Sequence, residues 1–275
     1  MVMIGYNLVS PADKLKDIQV QNLYEMIHNS NDELSNNIKQ LRAIKRIDIK
    51  QYSSMKKRLP YFVCGNLNIP VRRTENFSYI DCFVIDIDHL SGKGISMDAL
   101  RLQVQNDGRV LMAYVSPGAD GLKLLFRLKE KCYDPGIFKL FYKVFVYKFS
   151  QLYSLEQVID SRTCDVTRAC FLSSDSDAYY NVNAESVDLS SYIKEDNVQD
   201  MFDLKHEMSS LEALLPQPIE EITPMIVDPD DETLEEIKQT LKLRKQKLVK
   251  EEYIYVPEIL NDIILFIKQD IRSEE

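Results

Sequence analysis

At 275 residues the chain has room for one large domain, or one domain with a smaller appendage, and its 45% apolar content is that of a globular core. No apolar run reaches the length of a bilayer span, and residues 1–10 lack a basic stretch followed by an apolar one, so neither a membrane protein nor a secreted one is expected. The net charge of −9 argues against nucleic acid only as an average: residues 39–73 hold ten basic side chains against Asp48 alone (+9), and residues 185–275 hold 23 acidic against 10 basic (−13). Local fields, not the total, steer a polyanion. The five cysteines are odd in number and form no C-x-x-C pair, which points to a reduced, cytoplasmic protein without a zinc site.

Residues 11–30 read as a short helix with Leu23 and Ile27 inward. Ser30 or Asn31 caps a second helix, with Leu34, Ile38, Leu41 and Ile44 on one face and part of the basic cluster on the other. Pro60 leads into a strand from Tyr61 to Cys64 that Gly65 stops. Residues 79–88 form a strand. Ser96 caps a helix to about Asn106, and Val110 to Val115 and Leu122 to Leu128 make a hairpin around a turn formed by Pro117, Gly118, Asp120 and Gly121. Asp134-Pro135 opens a helix to Tyr153 with Phe138, Phe141, Phe145 and Phe149 inward. A last strand lies near 158–160 or 169–173. The order β-α-β-β-α-β is the split βαβ, ferredoxin-like motif. Beyond Asn181 the chain turns polar, residues 182–200 read as a linker, and charged helices are expected over 233–250 and 259–271.

Three stretches carry chemistry. Phe83 to His89 is a strand ending in Asp86-Ile87-Asp88. Alternation puts both carboxylates on one face, where they repel and are costly to desolvate unless a hard cation such as Mg²⁺ or Mn²⁺ joins them. In a ferredoxin-like sheet this strand end lies beside the start of the third strand at Gly121-Leu122-Lys123 and near Asp160. Ser116 to Lys123 is a glycine-rich turn whose backbone amides can approach an anion, with Lys123 adding positive charge. Val158-Ile159-Asp160 is followed by Asp165 and Arg168, and Asp165 rivals Asp160 as a third ligand.

Taken together these stretches resemble the archaeo-eukaryotic primase superfamily of primases and primase-polymerases, over residues 40–182. Its first motif, a strand ending in D-x-D, is matched by Asp86 and Asp88. Its second, a serine before a glycine-rich turn and usually a histidine, is matched by Ser116, with Lys123 where the histidine is expected. Its third, an aspartate after apolar residues with a basic residue further on, is matched by Asp160 and Arg168. Residues 55–62, 116–126, 168–173 and 177–181 resemble the small bacterial primase-polymerases associated with CRISPR loci.

The expectation is an α+β protein. A ferredoxin-like (RRM-like) βαββαβ catalytic core with an N-terminal αβ unit occupies residues 1–184, and an acidic linker with a helical tail occupies 185–275. The resemblance implies template-directed nucleotidyl transfer, by priming or extension, with a DNA template, RNA being left open. Asp86, Asp88 and Asp160 would hold two divalent ions. Ser116, Gly121, Lys123 and Arg168 would contact the nucleoside triphosphate, and Lys56, Lys57, Arg58, Arg72 and Arg73 the template phosphates. CRISPR integration machinery is the implied protein partner. A metal-dependent nuclease on the same carboxylates, or a non-catalytic nucleic-acid adaptor on a degenerate primase fold, are the alternatives.

Overall fold

The aspartates end a 12-residue strand, Phe77–Asp88, around which a computed structural model of the chain is built. It describes residues 1–160, 163–194 and 198–214, which fall in one compact unit running Met1–Ile219. The second unit, Glu220–Glu275, and with it the helices expected at 233–250 and 259–271, lies outside the described residues. In chain order the elements are β1 (Val2–Gly5), β2 (Lys16–Ile18), α1 (Val20–His28), α2 (Asp32–Ile44), α3 (Ile49–Lys56), β3 (Tyr61–Val63), β4 (Gly65–Leu67), β5 (Phe77–Asp88), α4 (Met97–Gln105), β6 (Val110–Val115), β7 (Gly121–Cys132), α5 (Pro135–Tyr153), β8 (Ala169–Phe171), β9 (Tyr179–Tyr180) and α6 (Val198–Leu214). The class is α+β. Two antiparallel sheets have strand orders β2-β1-β3-β8 and β4-β5-β7-β6-β9.

Local chemistry accounts for the helices. Asn31 caps α2 by accepting from the Leu34 amide at 2.8 Å, and Leu34, Ile38 and Leu41 form its buried stripe. Asp134 Oδ1 accepts from the Gly136 and Ile137 amides, and Pro135 opens the first turn of α5. The phenylalanines of α5 then pack on the large sheet. Phe83 of β5 lies 5.0 Å from Phe145 and 5.3 Å from Phe141, ring to ring, and Phe126 of β7 lies 5.1 Å from Phe145. Each such pair adds about 0.5–1.5 kcal/mol beyond the area it buries.

The structure departs from expectation in four places. Residues 11–19 are not helical: they hold β2 and the turn before it, and β2 pairs with an N-terminal strand, β1, that was not anticipated. The strand from Tyr61 ends at Val63, just before Gly65, but Gly65 itself opens a further strand, β4, in the other sheet, where a Cβ would collide with the Val166 carbonyl. The polar stretch after Asn181 packs on the core, with Ala184, Val187 and Ile193 buried and Val187 exchanging backbone hydrogen bonds with Arg127 and Lys129. Finally, β8 joins the smaller sheet against β3. Residues 158–160 make only a single antiparallel bridge, Ile87 to Ile159, on the free edge of β5. Two apolar residues before Asp160 cannot sustain a ladder, yet they bring that segment to the end of β5, where it was expected.

Candidate active site

Phe83 faces α5, so strand alternation puts Asp86 and Asp88 on the opposite face of β5. In the β5–β7 ladder Lys123 stands opposite Asp86, and Gly121 opposite Asp88. Gly121 is required there: a Cβ would run into the Ile87 carbonyl and come within 2.7 Å of Asp88 Oδ1. The Lys123 ammonium donates to Asp86 Oδ2 in a buried ion pair. Burial opposes the charge on Lys123, but Asp86 and Asp88 outweigh it and hold the ammonium above the ordinary lysine value. The other oxygen, Asp86 Oδ1, is buried without a hydrogen-bond partner. Burial, and next the Asp86 charge, push the Asp88 carboxyl above its ordinary value, against the pull of Lys123, Lys56 and His89.

The third expected carboxylate arrives through the backbone. The Asp160 amide donates to the Asp86 carbonyl at 3.0 Å, and the Asp88 amide to the Val158 carbonyl at 2.8 Å. Asp165 Oδ1 accepts from the Thr167 amide and hydroxyl, and the Asp165 carbonyl from the Arg168 amide. Asp165 therefore shapes the turn that carries Arg168. The donor chemistry fits a hard divalent cation, because two repelling carboxylates share one strand end and one of their oxygens is buried and unpartnered. Among the described residues, no group of three or more His, Cys, Asp or Glu side chains is arranged to hold a metal.

The glycine-rich turn is braced from both sides. Two of its amides are used internally, Ser116 to the Gly121 carbonyl and Ala119 to the Ser116 carbonyl. Ala119 and His89 both take left-handed backbone, at φ 58° and 61°. Asp120 joins these two bends by accepting from the Leu90 and Ser91 amides. On the other side Arg42 Nε donates to the Pro117 carbonyl at 3.3 Å and Lys45 Nζ to the Gly118 carbonyl at 3.4 Å. A Cβ at Gly118 would lie 2.7 Å from the Tyr52 hydroxyl. Part of the basic face of α2 thus holds the turn, a role the sequence did not suggest.

The basic segment divides. Lys56, Lys57, Arg72 and Arg168 line a pocket of about 360 Å³, with Ser53, Leu8, Ala169 and Phe171 completing its wall. Arg58 and Arg73 are exposed and do not line it. Lys56 Nζ lies 5.6 Å from the Tyr52 ring and 5.9 Å from that of Phe171. The lysine's position beside the carboxylates was missed. Its four-residue spacing from Tyr52 on one helix was the available signal that the two pack together. Lys56 is held below the ordinary lysine value by burial and by Lys123, with Asp88 and Asp86 acting against both.

Residues 54–180 match the family described as BT4734-like, N-terminal domain, a span that contains the carboxylates, the turn and most of the pocket. Among solved structures the chain is similar to the Cyanophage S-2L Primase-Polymerase (PrimPol), AEP domain (PP-N190), at 8% identity and a TM-score of 0.35, over 73% of this chain and 88% of that one. No curated protein matches. Among the described residues no helix is long and apolar enough to cross a membrane.

Proposed function

We propose that the chain is a primase-polymerase: a nucleotidyltransferase that extends or primes a strand on a nucleic-acid template. The observation that carries this reading is the pair of half-buried carboxylates, Asp86 and Asp88, set at one strand end among cationic side chains. The element order β5-α4-β6-β7-α5, with the 158–160 bridge standing for a reduced fourth strand, supports a ferredoxin-like core. Asp86 and Asp88, with Asp160 beside them, would hold Mg²⁺ or Mn²⁺. Bound there, the ions would activate the attacking 3′-hydroxyl and stabilise the leaving pyrophosphate. Lys123 would leave Asp86 and turn to the triphosphate, which Ser116 and Gly121 border and which Arg168 grips with its planar fork. The exposed Arg58 and Arg73 would hold template phosphates. The acidic residues 185–275 would meet a protein partner, and the resemblance points to CRISPR integration machinery.

A second reading has one observation in its favour. The Lys123–Asp86 ion pair closes the carboxylate site as a salt bridge, as a non-catalytic adaptor would keep it. Incubation of the full chain with labelled nucleotides, Mn²⁺ or Mg²⁺, and a primed or unprimed template separates the two. Incorporation by the wild type, abolished in folded Asp86→Ala and Asp88→Ala variants, is the expected result. Undiminished synthesis by either variant would refute the proposal.

A further inference from the structure

The face of α5 that meets the large sheet is made mostly of phenylalanines, and one tyrosine stands among them. The Tyr142 ring packs on Phe83 and Phe138 at 6.1 and 6.0 Å, as a phenylalanine ring would. Packing therefore gives no reason for its hydroxyl, which is buried and would be costly to desolvate without partners. It has two: the Val84 carbonyl at 3.0 Å and the Thr163 hydroxyl at 2.7 Å. Thr163 is buried as well, and its hydroxyl lies 3.0 Å from the Asp160 carbonyl.

These contacts fall along the edge of β5 that does not face β7. There β4 pairs only with Phe77 to Ile80. Further along, the Asp160 amide donates to the Asp86 carbonyl, and the Asp88 amide to the Val158 carbonyl. The Val84 carbonyl is two residues back on the same edge, and Tyr142 reaches it from α5. One bridge and two hydrogen bonds are a weak hold, and opening them would carry Asp160 away from Asp86 and Asp88. The two hydroxyls have two protons for three contacts. The chain of bonds thus runs from Thr163 through Tyr142 to Val84, or from Tyr142 through Thr163 to Asp160. Either direction keeps the Tyr142–Thr163 bond. Burial holds the phenol well above its ordinary value, so Tyr142 stays protonated.

We infer that Tyr142 is a positioning residue that acts through Thr163 to fix the Asp160 segment on the edge of β5, beside Asp86 and Asp88. It works from the face of the sheet opposite those carboxylates, through backbone carbonyls, without touching a bound ion or substrate. The part of Asp160 as a ligand rests on the nucleotidyl-transfer reading.

The test measures Mn²⁺ affinity by calorimetry, without nucleotide, on the full chain and its variants, with a thermal melt to check that each is folded. Tyr142→Phe and Thr163→Val each delete a hydroxyl and keep the shape, and should weaken Mn²⁺ about three- to tenfold. Asp160→Ala should weaken it at least as much. Thr163→Ser keeps the hydroxyl and should stay within about twofold of wild type. In an Asp160→Ala background Tyr142→Phe should have no further effect, because the ligand it positions is gone. Thr163→Val carries the same test if Tyr142→Phe fails to fold. Unchanged Mn²⁺ affinity in a folded Tyr142→Phe would overturn the inference and leave the hydroxyl a stabilising role only. An undiminished effect in the Asp160→Ala background would also overturn it, as would a wild type that binds no Mn²⁺. If Tyr142 and Asp160 prove coupled while the wild type incorporates no nucleotide, the positioning role stands and the polymerase reading fails.

Discussion

Lys123→Met removes the ammonium and keeps most of the apolar stem, so it isolates the charge. The side chains of the Lys123–Asp86 pair are 8% and 15% exposed, which leaves the carboxylate little water to replace its partner. Breaking such a pair from one side costs about 3–5 kcal/mol. Because Asp86 keeps some solvent contact, the lower end applies, and about 3 kcal/mol corresponds to a melting-point drop of about 6–12 °C for a domain of this size. The pH dependence has a definite sign. Asp88 already sits above its ordinary value, through burial and then Asp86, and Lys123 is the first of the groups that restrain it. Without Lys123 the Asp88 carboxyl, already raised by burial and Asp86, loses the first of its restraints and binds its proton still more tightly folded than unfolded, so the variant gains stability as pH falls toward the carboxylate range. The deficit relative to wild type should be largest at neutral pH, shrink on acidification, and shrink also on addition of Mn²⁺, which replaces the lost positive charge. Thermal melts across pH with and without Mn²⁺ measure all three. A melting point within a degree of wild type, or a deficit indifferent to both pH and Mn²⁺, would refute the reasoning.

Gly121→Ala should cost about 1–3 kcal/mol, because its Cβ meets the Ile87 carbonyl, a backbone atom that cannot swing aside; a melt indistinguishable from wild type would count against the tight β5–β7 approach. Arg58→Gln with Arg73→Gln should weaken template binding for all sequences alike and reduce the salt slope by about two units, and an unchanged slope in a salt titration would mean these charges form only a solvated face.

What was legible in the sequence was what local rules decide. The caps at Asn31, Ser96 and Asp134 stand where the sequence put them, and the phenylalanine stripe of α5 lies inward. The alternation that put Asp86 and Asp88 on one face needed only the strand; Lys123 stands opposite Asp86 through the pairing of β7 with β5, where the ferredoxin-like order had set the start of the third strand. The rest depended on contacts distant in sequence. Residues 16–18 are a strand because β1 pairs with them, a partner that no periodicity within 11–30 reveals. Residues 169–171 leave the large sheet because β3 offers a free edge in the smaller one. The basic segment read as one patch because its charges are close in sequence. The fold turns Lys56, Lys57 and Arg72 into a cavity and leaves Arg58 and Arg73 outside it.

The histidine expected at position 123 and the lysine found there differ in what they do to the carboxylates. A neutral imidazole would leave Asp86 and Asp88 repelling each other across the strand end. The lysine charge neutralises part of that repulsion from within the sheet, at the cost of occupying one Asp86 oxygen while the other stays buried and unpartnered. Any cation that binds the carboxylates must compete with Lys123 for Asp86. Lys123 also acts on the pocket-lining Lys56, which burial and then Lys123 hold below the ordinary lysine value. The substitution at position 123 therefore has a physical consequence beyond the loss of a motif residue.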